Sequence, residues 1–171
     1  MSRGFTKEDD AQTPPIIPPR AALPPGTPNY VTPAGLALLR SELAILEAER
    51  TQAEANHDND TDRTHRLSLY NGRLALLLER IGSARVVEPA GQPPKEVRFG
   101  ATVTLRTSGT GAERTLAIVG VDEAEIASGK VAFVAPIARA LQGARLGQTV
   151  SFKLGPKEEL VEVADIRYAD S

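Results

Sequence analysis

Two leucine-rich stretches with heptad spacing, separated by a short polar segment, constrain the fold of this 171-residue chain more than any other feature. In the first stretch, apolar residues recur at intervals of three and four, and Arg50 interrupts the series. The pattern resumes after the polar residues 56–63. The first seam comprises Leu36, Leu39, Leu43, Leu46 and Ala53, and the second Leu67, Tyr70, Leu74, Leu77, Ile81 and Ala84. Two such seams joined by a short polar loop predict an antiparallel, coiled-coil helical hairpin.

The ends and the register of this hairpin can also be predicted. Thr32 is a good N-cap and Pro33 suits the first helical position, so the first helix should begin there. Prolines and a glycine in residues 89–94 end the second pattern. When the seams are aligned antiparallel, Arg50 meets Tyr70 and the turn centres near Asp60. Each arm should be roughly 35–40 Å long at 1.5 Å per residue.

Charged residues flank both seams with the same period. The register pairs Glu42 with Arg80 and Glu49 with Arg73, which favours interhelical ion pairs of low energy. A second interpretation is a basic stripe that faces a partner molecule. Arg66 fits that interpretation best, because the register places it opposite an asparagine.

Three carboxylates lie close together at the predicted turn: Asp58, Asp60 and Asp62. Mg²⁺ prefers hard oxygen ligands and commonly takes one or two carboxylates with waters and phosphates. An alternative is a plain polar loop, since Asp and Asn favour turns. An EF-hand calcium loop is excluded, because Arg63 replaces the required glycine and Leu69 the terminal glutamate.

The residues after 96 change from helical to alternating periodicity. Five short runs alternate or are β-rich, and glycines separate them. A proline-initiated helix is predicted over residues 136–141. The predicted strands cover residues 101–105, 115–119, 131–134, 149–152 and 160–163. The chain is therefore expected to be an α+β protein, with a helical hairpin followed by a small antiparallel β domain of residues 96–171 that carries one short helix.

The first 29 residues are rich in proline, which removes backbone donors and fixes φ. They predict an extended, disordered tail before a hairpin of residues 30–90. The N-terminus lacks the apolar core of a signal peptide, and no apolar run is long enough for a membrane helix, so a cytoplasmic location is expected.

Charge and composition limit the possible partners. The formal net charge is −2 and aromatic residues make up 4% of the chain. Binding to bare duplex DNA or to single strands usually needs excess positive charge or stacking rings, so sequence-specific DNA binding is not expected. The chain has no cysteine, which excludes disulfides and cysteine-ligated zinc.

Four short motifs stand out along the chain: residues 31–36 (VTPAGL), 99–103 (FGATV), 118–123 (IVGVDE) and 135–141 (APIARAL). Together they resemble the Gre family of bacterial transcript-cleavage factors. The first resembles the start of that family's hairpin and the second the opening of its C-terminal domain. The last two resemble internal motifs of that domain, and residues 135–141 are the most specific. The resemblance extends from residue 30 to about residue 168 and excludes only the Pro-rich tail.

This resemblance implies a C-terminal domain with an FKBP-like fold that docks on bacterial RNA polymerase. The hairpin would enter the secondary channel, where Asp58, Asp60 and Asp62 would help hold a Mg²⁺ ion shared with the polymerase, next to the nascent RNA 3′ end. The factor would be an accessory protein and not itself an enzyme, with no cofactor of its own. Arg63, Arg66 and Arg73 would face RNA or polymerase. Residues Pro136, Ile137, Ala138 and Arg139 would contribute to polymerase docking.

The tip departs from the family pattern. If Asp60 matches the family's tip aspartate, Arg63 stands where that family usually has glutamate, and each arm is shorter by roughly one heptad, or about 10 Å. An alternative is therefore a non-cleaving regulator that occupies the secondary channel. A prolyl isomerase or chaperone built on the FKBP-like domain is a third possibility, and it would require an aromatic-lined pocket.

Overall fold

The computed structural model describes residues 13–169, which divide into two compact units. One unit contains residues 13–20 and 39–82, and the other contains residues 21–38 and 83–169. The first unit holds most of the helical hairpin and a stretch of the N-terminal segment. The second holds both β-sheets together with the first six residues of the first helix.

The hairpin consists of α1 (Pro33–Ala55) and α2 (Asp60–Ser83). Thr32 caps α1 as predicted, since its Oγ1 accepts a hydrogen bond of 2.9 Å from the amide of Gly35. Among residues 13–169 no helix has both the length and the apolar character needed to cross a membrane. The connecting loop covers residues 56–59, slightly before the predicted centre, because Asp60 is already the first residue of α2.

The predicted seams supply the hairpin's buried residues. Leu39 and Leu46 are each 2% exposed, Ala53 is 7% exposed and Leu77 is fully buried. Arg50, which interrupts the first seam, donates a 2.7 Å hydrogen bond from Nε to Oδ1 of Asn71. The polar interruption is therefore satisfied within the hairpin.

The N-terminal segment needs a correction where the structure describes it. Residues 13–19 have no regular secondary structure, but β1 (Asn29–Val31) pairs in parallel with β2 (Ala84–Val86). Asn29 and Val31 are each 3% exposed. Asn29, the last residue of the tail predicted over residues 1–29, thus belongs to a strand, because the β-forming Tyr30 and Val31 follow the last proline; residues 13–28 contain no helix or strand. Residues 1–12 lie outside the described part.

The β unit contains one five-stranded sheet and a short helix, α3 (Pro136–Leu141). The strands are β3 (Ala101–Thr107), β4 (Glu113–Val119), β5 (Lys130–Ala132), β6 (Thr149–Leu154) and β7 (Lys157–Tyr168). They lie in the order β5-β4-β3-β7-β6, and all neighbours are antiparallel except β4 and β5. The sheet is therefore mixed, not purely antiparallel as predicted, because residues 120–129 carry the chain back to Ala117, beside which β5 begins in the same direction as β4. The α+β class and all five predicted strands are confirmed.

Aromatic side chains of this unit pack against one another. The rings of Phe99 and Phe133 meet edge to face with centroids 5.5 Å apart, and Tyr30 contacts both at 5.8 and 5.6 Å. Phe99 and Phe133 also pack against the buried core, and Phe152 belongs to it. Rings used in this way support the core interpretation of these residues over a prolyl-isomerase pocket.

Two of the sequence motifs contact each other within the β unit. Thr32 donates a 2.6 Å hydrogen bond to Oε2 of Glu123, which is 9% exposed. A Cβ at Gly35 would lie 2.8 Å from that same oxygen, and a Cβ at Gly120 would lie 2.6 Å from the carbonyl oxygen of Tyr30. Both glycines therefore permit close approach, and the Glu123 carboxylate sits favourably at the N-terminus of α1.

The burial of Leu77 generates a stability prediction. Leu77→Ala should lower the free energy of unfolding by about 2–5 kcal/mol, because it opens a cavity in the seam. Its neighbour Leu78 is 51% exposed, so Leu78→Ala should change stability by less than about 0.5 kcal/mol. Urea titrations followed by far-UV circular dichroism measure both. Equal losses in the two variants would contradict the observed packing.

Candidate functional site

The hairpin tip is closed by two asparagine side chains. Oδ1 of Asn56 accepts a 3.0 Å hydrogen bond from the amide of Asp58, which forms a local Asx-type turn. Oδ1 of Asn59 accepts hydrogen bonds from the amides of Thr61 and Asp62 at 3.1 and 3.2 Å. Asn59 is therefore the N-cap of α2, and the loop between the helices is only as long as these two turns require.

The three predicted tip carboxylates are all exposed. Asp58 lies in the loop, whereas Asp60 and Asp62 lie in the first turn of α2. The positive end of the helix dipole stabilises negative charge at that position, which gives these two residues a structural role as well. The Asp60 side chain is 84% exposed, so its carboxylate is available to a partner.

Arg63 folds back over the tip loop. Its Nη1 donates to the carbonyl oxygen of Glu54 at 3.2 Å and to Nδ1 of His57 at 2.8 Å. Its Nη2 lies 3.9 Å from Oδ1 of Asp60, and only 26% of the Arg63 side chain is exposed. The guanidinium thus joins the end of α1, the loop and the start of α2. This arrangement limits its predicted availability to RNA or polymerase.

The described residues of the tip do not form a complete metal site on their own. Within residues 13–169 no three histidine, cysteine, aspartate or glutamate side chains are arranged to hold a metal ion. Mg²⁺ commonly takes only one or two carboxylates from one protein and completes its shell with waters and phosphates. The exposed carboxylates at the start of α2 fit such a partial ligand set.

The other predicted arginines have different surroundings. Arg66 is exposed on α2, whereas Arg73 is partly buried. The pKa of Glu42 lies below its ordinary value, mainly because Arg20 donates hydrogen bonds to it, and the charge of Arg73 lowers it further. The register predicted Arg80 as the partner of Glu42, but Arg20 engages both of its carboxylate oxygens, at 2.8 and 2.9 Å. Heptad periodicity cannot detect this partner, because Arg20 lies outside both seams.

The predicted docking residues of α3 divide into two groups. Pro136 and Arg139 are exposed. Ala138 is 2% exposed and belongs to the core, and Ile137 packs against that core. Ala138 is thus unavailable to a partner, since its face of this one-and-a-half-turn helix points into the sheet. Pro136 and Arg139 remain candidates for docking.

Comparison with known proteins identifies the family. The model for "Transcription elongation factor, GreA/GreB, C-term" matches residues 92–168. A transcription elongation factor GreB of Neisseria meningitidis serogroup A is 33% identical over 156 residues, which span 83% of this chain and 95% of that protein. The chain belongs to the GreA/GreB family. The predicted resemblance to Gre factors is confirmed.

Further Gre relatives show similar coverage. A GreA of Acidiphilium cryptum is 33% identical over 151 residues, spanning 81% of this chain and 96% of that protein. Among solved structures, a GreA/GreB elongation factor from Nitrosomonas europaea has 21% identity and a TM-score of 0.42, covering 81% of this chain and 98% of its own. Gfh1 of Thermus aquaticus has 21% identity and a TM-score of 0.40, with 80% and 96% coverage.

The capping geometry of this Gre tip generates a second prediction. Asn59→Ala should destabilise the start of α2 by about 1 kcal/mol, because two amides lose their acceptor. Asn59→Asp should retain most of that stability, since aspartate caps about as well as asparagine. Hydrogen exchange at the amides of Thr61 and Asp62 measures the effect directly. Equally fast exchange in both variants would show that the cap does not hold the tip.

Proposed function

We propose that the chain is a transcription elongation factor that binds bacterial RNA polymerase and inserts its hairpin into the secondary channel. Membership of the GreA/GreB family supports a role in elongation, and the relatives carry that name. The polymerase, the channel and the nascent RNA 3′ end come from the family resemblance described above. A net charge of −2 is consistent with a protein partner in place of bare DNA.

The observation that carries this proposal is the construction of the tip. Two asparagine-capped turns and the Arg63 bonds fix a short loop, and this loop and the first turn of α2 display exposed carboxylates. A fixed display of charge is what delivery of ligands to another protein's active centre requires, because a loose tip would lose orientation on binding. The factor would stimulate cleavage of backtracked RNA by the polymerase and would catalyse nothing alone.

A shared Mg²⁺ ion would supply the chemistry of this reaction by stabilising the attacking and leaving oxygens. Asp58, Asp60 and Asp62 are its candidate ligands on this chain, and polymerase groups would complete its shell. The exposed Pro136 and Arg139 of α3 would contribute to docking. A factor of this kind would act in the cytoplasm, where the polymerase is found.

The tip carboxylates provide the test of cleavage. The triple variant Asp58→Asn/Asp60→Asn/Asp62→Asn should lose the stimulation of RNA cleavage in a stalled, backtracked complex. Loss of several kcal/mol of transition-state stabilisation corresponds to about 10²-fold or more in rate. Glu79→Gln is the control, since Glu79 is exposed on the same helix but far from its first turn. Wild-type stimulation that survives in the triple variant would exclude the tip as a metal ligand.

A second function, channel occupancy without cleavage, is favoured by Arg63. If Asp60 matches the tip aspartate of the Gre family, Arg63 stands where that family usually has glutamate, and its guanidinium lies 3.9 Å from Asp60. A cation so close would oppose binding of a second positive ion. On this hypothesis the protein competes with a cleaving Gre factor for the polymerase but does not accelerate cleavage.

Arg63 also separates the two functions experimentally. If the protein is non-cleaving, Arg63→Glu should gain stimulation of cleavage, whereas Arg66→Glu, an exposed position one turn later on α2, should not. Hydrogen exchange of residues 54–60 monitors whether the loop stays closed in each variant. Strong cleavage by the wild type would contradict this second function, and absence of both cleavage and competition would contradict polymerase binding itself.

A further inference from the structure

The N-terminal segment of residues 13–20 contacts both helices of the hairpin. Its side chains alternate in exposure: Pro15, Ile17 and Arg20 are partly buried, and Ile16 is 91% exposed. Ile17 lies against α2, and Arg20 binds α1 through Glu42. The segment contacts α2 at one point and α1 at another, so it crosses the hairpin and connects its two helices.

The contact with α2 depends on a glycine. A Cβ at Gly72 would lie 2.4 Å from Cδ1 and 2.7 Å from Cγ1 of Ile17. The missing side chain of Gly72 therefore forms a notch in the helix surface, and the Ile17 side chain occupies it. Glycine is a poor residue for the middle of a helix, so its presence there is accounted for by this close approach.

The contact with α1 is a two-pronged ion pair. Nη1 and Nη2 of Arg20 donate to Oε1 and Oε2 of Glu42 at 2.8 and 2.9 Å. The Arg20 side chain is 18% exposed and that of Glu42 is 42% exposed. Bidentate geometry fixes the direction as well as the distance of the segment.

Prolines prepare the segment for this position. Pro14, Pro15, Pro18 and Pro19 restrict φ, and Pro18 also restricts Ile17, the residue before it, to extended conformations. A chain that is already extended loses less conformational entropy when it docks. Proline richness here favours docking and does not only indicate disorder.

The segment leaves the tip carboxylates uncovered. Residues 13–16 and the first turns of α2 line an open groove with a volume of about 1040 Å³. The Asp60 side chain at its edge is nevertheless 84% exposed. A cover that blocks the tip would bury this carboxylate, so the geometry fits a brace and not a lid.

We propose that residues 13–20 are an N-terminal brace that docks across both helices and positions the hairpin tip for its action on the polymerase. Ile17, Arg20, Glu42 and Gly72 are then positioning residues. They hold the two arms in one arrangement, and the tip turns attached to those arms keep a fixed orientation. The positioning role rests on the proposed function, whereas the docking itself does not.

Docking is tested without polymerase. The chain has no cysteine, so nitroxide labels can be attached specifically at Ile16→Cys and Glu79→Cys, both at exposed positions. The pair reports the distance between the brace and α2. Double electron–electron resonance spectroscopy should give one narrow distribution of distances between the two labels. Gly72→Ala should broaden it, although alanine is the better helix former, so helix loss cannot explain the change. Gly82→Ala is the matched control, because a Cβ there meets nothing within 4 Å.

The ion pair is tested by a double-mutant cycle. Arg20→Gln and Glu42→Gln should each broaden the distribution, and the double variant should be no broader than either. Arg40→Gln, at an exposed position on α1, should have no effect. A broad distribution in the unsubstituted protein, or identical distributions for Gly72→Ala and Gly82→Ala, would overturn the docking.

The positioning role is tested in elongation complexes. Gly72→Ala should leave the half-saturating concentration of factor unchanged and lower its maximal effect on transcription, by roughly 10-fold if about 1.4 kcal/mol of transition-state stabilisation is lost. Full activity in an undocked variant would overturn the positioning role. If neither the wild type nor any variant affected transcription, both the positioning role and the proposed function would be overturned. The distance measurements would still establish the docking.

Discussion

The apolar seam between α1 and α2 is the interaction on which the rest of the hairpin depends. Leu39, Leu46 and Leu77 are almost or completely buried along it, and they fix which residues of the two helices face each other. That arrangement sets where the chain must turn, and the turn sets which carboxylates reach the tip. It also aligns Glu42 and Gly72 so that one extended segment can contact both. Burial of apolar area therefore fixes the position of polar groups that contribute little stability themselves.

Sequence periodicity predicted what repeats locally and missed what depends on distant partners. The start of α1, the seams, the five strands and the helix at Pro136 all follow from spacing and capping rules. The parallel pairs β1–β2 and β4–β5 do not, because a three-residue strand has no periodicity of its own and its direction depends on the path between strands. The bond between Thr32 and Glu123 joins two motifs 91 residues apart, and each motif was visible only as a resemblance.

The tip was predictable in composition but not in bonding. A polar stretch between two seams predicts a loop, and its aspartates predict either a ligand set or a helix start. The structure gives Asp60 and Asp62 the second role and leaves them exposed for the first. Arg63 could not be interpreted from its position alone. Its side chain reaches back to Glu54 at the end of α1 and to His57 in the loop, and only the closed loop brings them together.

The Arg20–Glu42 ion pair does not act as a pH switch near neutral pH. Arg20 mainly, with Arg73, depresses the pKa of Glu42 below its ordinary value. A depressed carboxyl pKa contributes stability that is present above the unfolded pKa and is lost only as pH falls through the folded value. Both members of the pair are therefore charged at neutral pH, and small changes of pH around that value leave the ion pair unchanged. Ionic strength acts on it more directly, since Glu42 is partly exposed and its charge is screened. The contact of Ile17 with Gly72 carries no charge, so salt weakens the attachment to α1 while the attachment to α2 remains.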